Sequence, residues 1–302
     1  MKGFLSAVTR MNWFGWARSG VVLASKEPLA LETLVAGVTG ETAPVFALSL
    51  GRPHRYRKVV IQIMRPTGEI LGYIKLPLTE AATERVRHEA AMLASLWGFA
   101  DLRRRIPRVL HAGEWGDSYI LFQSSGPAES GPTEFRHAHE EFLLTVQNVC
   151  RVEKPGRAIA AEVERRWQRV ELELDRELRQ LGRGVLARAG QQLDGSTIRC
   201  GIHHGDFAPW NTRVEGGRLF LFDWESASFD APACWDAFHF RVQVEGLLKK
   251  KRDRRPAEGL PKSGKPEFLL YLLNSLCQLL EEDPADRSGI EYRLTLLRES
   301  VP

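Results

Sequence analysis

The stretch His203-His204-Gly205-Asp206-Phe207-Ala208-Pro209-Trp210-Asn211 is followed, a few residues on, by Leu219-Phe220-Leu221-Phe222-Asp223-Trp224-Glu225. Together they gather oxygen-bearing side chains at a spacing that suits phosphoryl transfer. That chemistry needs a carboxylate to orient or deprotonate an attacking hydroxyl, and hard oxygen donors to hold Mg²⁺ against phosphates. Asp206 can be the first, and Asn211 and Asp223 the second. Five positions separate Asp206 from Asn211, which keeps both in one loop. Gly216-Gly217 can turn the chain so that Asp223 returns beside them at a strand end. Singly, these residues also read as Asx-type turn caps and the end of a buried strand; their joint occurrence points to the chemistry.

A second set lies in the first half of the chain. In Ile70-Leu71-Gly72-Tyr73-Ile74-Lys75-Leu76 the alternation of a strand puts Leu71, Tyr73 and Lys75 on one face. Residues 80–97 follow as an amphipathic helix with Val86, Leu93 and Leu96 in its apolar stripe. Glu89 falls three residues after Val86 and four before Leu93, inside that stripe, where a carboxylate needs a cation. Lys75 is the natural partner, and the pair would aim the lysine at phosphate oxygens. A lysine snorkelling to water, with Glu84 as an alternative partner, is the competing reading.

The elements that must position these groups change character along the chain. Three strands read at 45–50, 58–64 and 70–76, two more at 106–115 and 118–123, and Ser124-Ser125-Gly126-Pro127 with Gly131-Pro132 breaks the pattern. Beyond it the sequence is mostly helical: 135–150, one long charged helix within 157–191, then a short segment from Ile198 to Phe222 with strand-like ends, and helices near 233–251, 266–282 and 287–299. The expectation is an α+β chain of two lobes. Residues 1–126 form a small antiparallel-sheet lobe with one main helix, in which 1–40 is an extension of unassigned role, and 127–302 form a larger, mostly helical lobe.

Composition sets the remaining bounds. The 302 residues are 43% hydrophobic and 26% charged, ordinary for a globular protein, and the net charge of +4 is too small to argue for a nucleic-acid partner. The densest basic run, Lys249 to Arg255, reads as a solvated loop. Four scattered cysteines show no metal-ligand or disulfide spacing and suit a reducing cytoplasm. Arg10 and Arg18 interrupt the N-terminal apolar residues, so no membrane span is expected there.

His-Gly-Asp-Phe-Ala-Pro-Trp-Asn followed by Phe-Asp-Trp-Glu resembles the two signature motifs of the aminoglycoside phosphotransferase and choline kinase family. The resemblance implies a bilobal, protein-kinase-like fold that binds ATP and Mg²⁺ and phosphorylates a hydroxyl of a small molecule. It implies Asp206 as catalytic base, Asn211 and Asp223 as Mg²⁺ ligands, His204 as a loop-shaping residue, Glu225 as a supporting acid and Asp236 as a structural aspartate. In the first lobe it implies Lys75 with Glu89 as the phosphate-holding pair, Tyr73 as a surface for the adenine, and the backbone around Gln123 and Ser125 as the purine-facing hinge. The chain departs from kinases between its first two strands, where Gly51-Arg52-Pro53-His54-Arg55-Tyr56-Arg57-Lys58 lacks a glycine-rich loop; the cations there can supply phosphate charge or simply tip a solvated hairpin.

Two other readings stand beside it. A protein kinase fits less well, because about a dozen residues separate Asp223 from Asp236, too few for a peptide-binding platform. A nucleotide-binding scaffold without catalysis is the other. For the acceptor, aminoglycoside-, sugar- and amino-alcohol-like molecules all remain open.

Overall fold

The computed structural model describes residues 30–51, 53–248 and 265–300. Of the described residues, those from 30 to 97 together with Pro107–Gly126 form one compact unit, and Gly98–Ile106 with those after Gly126 form another. The N-terminal segment before residue 30, Arg52 and the basic run 249–255 lie outside the described residues.

The first unit opens with helix α1 (Ala30–Thr39) and strands β1 (Val45–Leu50), β2 (Lys58–Met64) and β3 (Ile70–Pro77). Helix α2 (Glu80–Leu96) and strands β4 (Val109–Trp115) and β5 (Ser118–Gln123) complete it. The sheet is antiparallel throughout, in the order β1-β2-β3-β5-β4. Its β-branched residues Ile61, Ile63, Ile74 and Ile120 bury one face together with Phe46 and Phe122. Leu31 and Val35 of α1 join that core, so part of the supposed extension is an integral helix. Thr79 caps α2 by accepting from the Ala82 N–H, and the helix buries Val86, Glu89, Leu93 and Leu96 on one stripe. Gly72 is required where β3 meets β5: any side chain there would run into the Gln123 carbonyl.

In the second unit come α3 (His137–Val149), β6 (Arg151–Pro155), α4 (Gly156–Val170), α5 (Arg176–Gln192) and β7 (Thr197–His203). The hairpin β8 (Thr212–Glu215) and β9 (Arg218–Leu221) follows, then β10 (Ser228–Pro232), α6 (Trp235–Gln243), α7 (Pro266–Glu282) and α8 (Arg287–Ser300). The order β10-β7-β6 makes a small antiparallel sheet, which the sequence reading did not anticipate. Helices α4, α5, α7 and α8 surround the main core, which takes in Val163, Trp167, Val185, Leu273 and Leu297.

The single helix expected within 157–191 is in fact two. A short 3₁₀ turn at Glu171–Glu173 ends α4, and Asp175 starts α5 by accepting from the Leu178 N–H. The break lets both apolar stripes face one core. It is pinned by Glu171, which accepts from the Trp167 indole at 3.0 Å and from Arg183 at 3.0 and 3.1 Å. α6 also ends sooner than expected and passes into a π-helical turn at Val244–Leu248.

A buried histidine gives this unit a pH dependence. His139 is fully buried against Phe135, Phe207 and Phe240, and its Nδ1 accepts from the Arg136 N–H at 3.0 Å. Burial is the main cause that pushes its pKa down to about 4. Between about 6.5 and that value the unfolded chain binds the proton and the native one does not, so stability rises with pH across the window. Acidification from pH 7 to 5 should therefore cost about 2 kcal/mol through this residue. Urea unfolding at the two pH values measures the loss, and His139→Gln should shrink it.

Candidate active site

In the second unit, β7 delivers the chain into the loop His204–Asn211, which closes with a 3₁₀ turn at Pro209–Asn211. The loop is shaped from beneath by Asp236, which is buried at 3% exposure. Its carboxylate accepts from the backbone N–H of His204 at 2.8 Å and of Gly205 at 3.1 Å, and lies 3.2 Å from the His203 ring. Gly205 is obligatory here, since its φ of +82° is left-handed and a Cβ would meet the Ser226 carbonyl. His204 is buried edge-on to Trp224; its Nδ1 accepts from the Asp206 N–H at 3.2 Å, and its Nε2 lies 3.1 Å from the Phe222 carbonyl. Burial is the leading cause that lowers the pKa of both His203 and His204, so these rings brace the loop in the neutral form.

Asp206 and Asn211 meet directly. The Asn211 amide donates to the Asp206 carbonyl at 2.9 Å and to its Oδ2 at 2.8 Å, which fixes the amide and leaves Asn211 Oδ1 as its acceptor end. Phe222 donates its N–H to the Asn211 carbonyl at 3.1 Å, so β9 runs straight into the loop and hands on Asp223. Asp223 has φ of +72°, the one left-handed non-glycine among the described residues. Such a conformation costs about 1–2 kcal/mol at an ordinary residue and somewhat less at aspartate, and it is a strain typical of functional positions. Trp224, fully buried, donates its indole N–H to the Leu221 carbonyl at 2.9 Å and anchors the segment that carries Asp223 and Glu225.

A third group touches Asp206. His239, on α6 and 7% exposed, lies with Nε2 3.1 Å from Asp206 Oδ1. Gln243 is 3.0 Å from the same ring nitrogen, and the Tyr271 hydroxyl is 3.3 Å from Nδ1. Sequence reasoning missed these residues. The signal was present: Asp236, His239 and Gln243 stand at i, i+3 and i+7, one face of a helix that begins just after the motif region.

In the first unit, Lys75 and Glu89 form the expected pair. The ammonium donates to both carboxylate oxygens at 2.6 Å, with the two side chains 6% and 0% exposed. Glu84 is not the partner. Tyr73 sits opposite Gln123 in the β3–β5 ladder and is half-buried. Gln123 is 4% exposed, and its Oε1 has no hydrogen-bond partner among the described residues. Ser125 lies close to the Ile70 carbonyl, 3.4 Å from its hydroxyl. In the β1–β2 loop, Thr79 donates to the Arg55 carbonyl at 2.6 Å and Arg85 stacks on Tyr56 at 3.6 Å, so the loop is tied to the start of α2.

No protein-family model and no curated protein sequence matches the chain. Solved structures do. The chain is similar to a thermostable mutant of aminoglycoside phosphotransferase APH(4)-Ia in its apo form, at 15% identity and a TM-score of 0.58, over 88% of this chain and 98% of that one. It is also similar to aminoglycoside 2'-phosphotransferase-IIIa in complex with GDP, at 14% identity and a TM-score of 0.53, over 89% and 97%. A third likeness is to a point mutant of APH(4)-Ia in ternary complex with ADP and hygromycin B, at 13% identity and a TM-score of 0.54, over 91% and 100%. No helix among the described residues is long and apolar enough to cross a membrane. With its five-stranded antiparallel sheet in one unit and its helical second unit, the chain has the protein-kinase-like fold of the aminoglycoside phosphotransferases.

Proposed function

We propose that the protein is an ATP- and Mg²⁺-dependent phosphotransferase that moves the γ-phosphoryl group to a hydroxyl of a small molecule. The observation that carries this reading is the convergence in one loop of Asp206 and Asn211, with Asp223 delivered beside them by the Phe222–Asn211 hydrogen bond. The donor set fits Mg²⁺: Asn211 Oδ1 and the Asp223 carboxylate are hard oxygens, and the Asn211 amide nitrogen is already committed to Asp206. When bound, Mg²⁺ would be held by Asn211 and Asp223 and would offset the charge that develops on the phosphates.

The chain's own residues supply the rest. Asp206 accepts the proton of the attacking hydroxyl on its carboxylate, and the amide of Asn211 holds that carboxylate in place. Lys75, fixed by Glu89, donates to phosphate oxygens, and Tyr73 offers a ring to the base of the nucleotide. The backbone at Gln123 and Ser125 is the purine-facing segment. Glu225 supports the acidic pair from the turn after Asp223.

The acidic stretch 281–299 leaves the charge of the acceptor open: Glu281 pairs with Arg166 and Arg169, whereas Asp283, Glu291 and Glu299 are exposed. The test is incubation with γ-labelled ATP, Mg²⁺ and a panel of sugars, amino alcohols and aminoglycosides including hygromycin B, read by labelled product. Label on at least one hydroxylated acceptor is expected; a panel left wholly unlabelled, with no hydrolysis of ATP, overturns the proposal.

Asp223→Gly separates stability from function. Glycine adopts φ of +72° freely, so the variant should be more stable than the parent by up to about 1 kcal/mol, while Mg²⁺-nucleotide binding weakens by more than tenfold. Thermal melting and calorimetric titration with Mg²⁺ and a non-hydrolysable ATP analogue read the two effects.

A further inference from the structure

We propose that His239 is the positioning residue of Asp206, held by a one-way hydrogen-bond chain that begins at the buried phenol of Tyr271 and ends on Asp206 Oδ1. The catalytic consequence rests on the phosphotransferase reading above; the chain itself does not.

The chain runs from two helices into the loop. The hydroxyl of Tyr271 on α7 is 3.3 Å from His239 Nδ1 on α6, and His239 Nε2 is 3.1 Å from Asp206 Oδ1. Tyr271 and His239 are both less than a tenth exposed.

Its direction is dictated by its acceptor end. An ionised carboxylate can only accept, whereas a hydroxyl and an imidazole carrying one ring proton can do both. His239 therefore donates from Nε2 to Asp206 and accepts at Nδ1, and Tyr271 donates to Nδ1. Burial keeps the phenol protonated, its pKa pushed up to about 12, so it stays a donor. Members aligned in one sense polarise one another, which strengthens the final N–H bond to the carboxylate. The same direction requires Gln243 to turn its amide oxygen, rather than its nitrogen, toward the Nε2 proton, an assignment set by the network.

With this bond in place, each oxygen of Asp206 has its own donor, Asn211 on Oδ2 and His239 on Oδ1. The carboxylate plane is fixed from both sides, and the remaining lone pairs face the approaching hydroxyl. A catalytic group displaced by a fraction of an ångström loses much of its advantage, on the order of 10–10²-fold in rate.

Two readouts on the full chain test the proposal. ¹⁵N-histidine NMR of the free protein at a pH well above the ordinary imidazole range, with His239→Gln to assign the signal, should show the single ring proton of His239 on Nε2; Tyr271→Phe should turn it into a mixture of tautomers. A signal protonated on Nδ1, or one indifferent to Tyr271→Phe, overturns the chain. In Mg²⁺-dependent ATP turnover, His239→Leu should lower kcat by about 10–10²-fold with KM for ATP unchanged. His239→Gln, whose amide can place an N–H where Nε2 was, should recover most of it. Melting curves check that both variants are folded. Equal kcat in parent and His239→Leu, or equal damage in both variants, overturns the positioning role. Absence of turnover in the parent sinks the phosphotransferase reading and the rate effect with it, while the tautomer result still decides the chain.

Discussion

Asp206→Asn is expected to leave nucleotide binding intact and to cut turnover by roughly 10²–10⁴-fold, the contribution typical of a positioned general base. The substitution is nearly isosteric. The Asn211 amide, which donates to Asp206 Oδ2 at 2.8 Å and to the Asp206 carbonyl at 2.9 Å, keeps the backbone bond and can meet the new amide oxygen. His239 also retains an acceptor if that oxygen turns its way, but one side chain cannot satisfy both neighbours as a carboxylate does. The loop therefore keeps its fold, braced by Asp236 beneath His204 and Gly205, and loses only the carboxylate proposed to accept the proton. Steady-state kinetics beside a binding titration checks this, and turnover equal to that of the parent would refute the assignment of Asp206.

Glu89→Ala should destabilise the chain by about 3–5 kcal/mol, because it strips a buried ammonium of its carboxylate. Lys75 is 5% exposed and Glu89 fully buried, so water does not readily replace the lost partner. A surface pair would yield a fraction of this. The double variant Lys75→Met, Glu89→Leu removes both charges and fills the space with apolar side chains, so most of the stability should return. Its nucleotide binding should not return, since the lysine proposed to meet the phosphates is gone. Urea unfolding of the three proteins separates the electrostatic cost of losing this carboxylate from simple loss of packing; a loss below about 1 kcal/mol in Glu89→Ala would show that the pair is not desolvated.

The sequence made some of these features plain and hid others, for physical reasons. The strands were legible because alternation and β-branched runs such as Lys58–Met64 are bounded by turn residues, and α2 because its stripe places Val86, Glu89 and Leu93 together. Lys75 and Glu89 could be paired because a charge in an apolar stripe has few ways to be satisfied. The helix expected within 157–191 failed because both of its halves have high helix propensity, and only the Asp175 cap, a weak local signal, marks the break. Strands β6 and β10 are five residues each and lack strong alternation, so they exist by virtue of pairing with β7. The loop from Asp206 to Asn211 was legible from residue types at a fixed spacing. His239 was overlooked although it shares a helix face with Asp236 and Gln243, since that spacing does not say what the face meets, and Tyr271, more than thirty positions on, is brought to it only by the packing of α7.

The most direct test of the central claim is calorimetric titration of the chain with a non-hydrolysable ATP analogue, once with Mg²⁺ and once with a chelator. Saturable binding that needs Mg²⁺ and is lost in Asp223→Gly is the predicted result. No binding at all, or binding of equal strength with and without Mg²⁺, would contradict it.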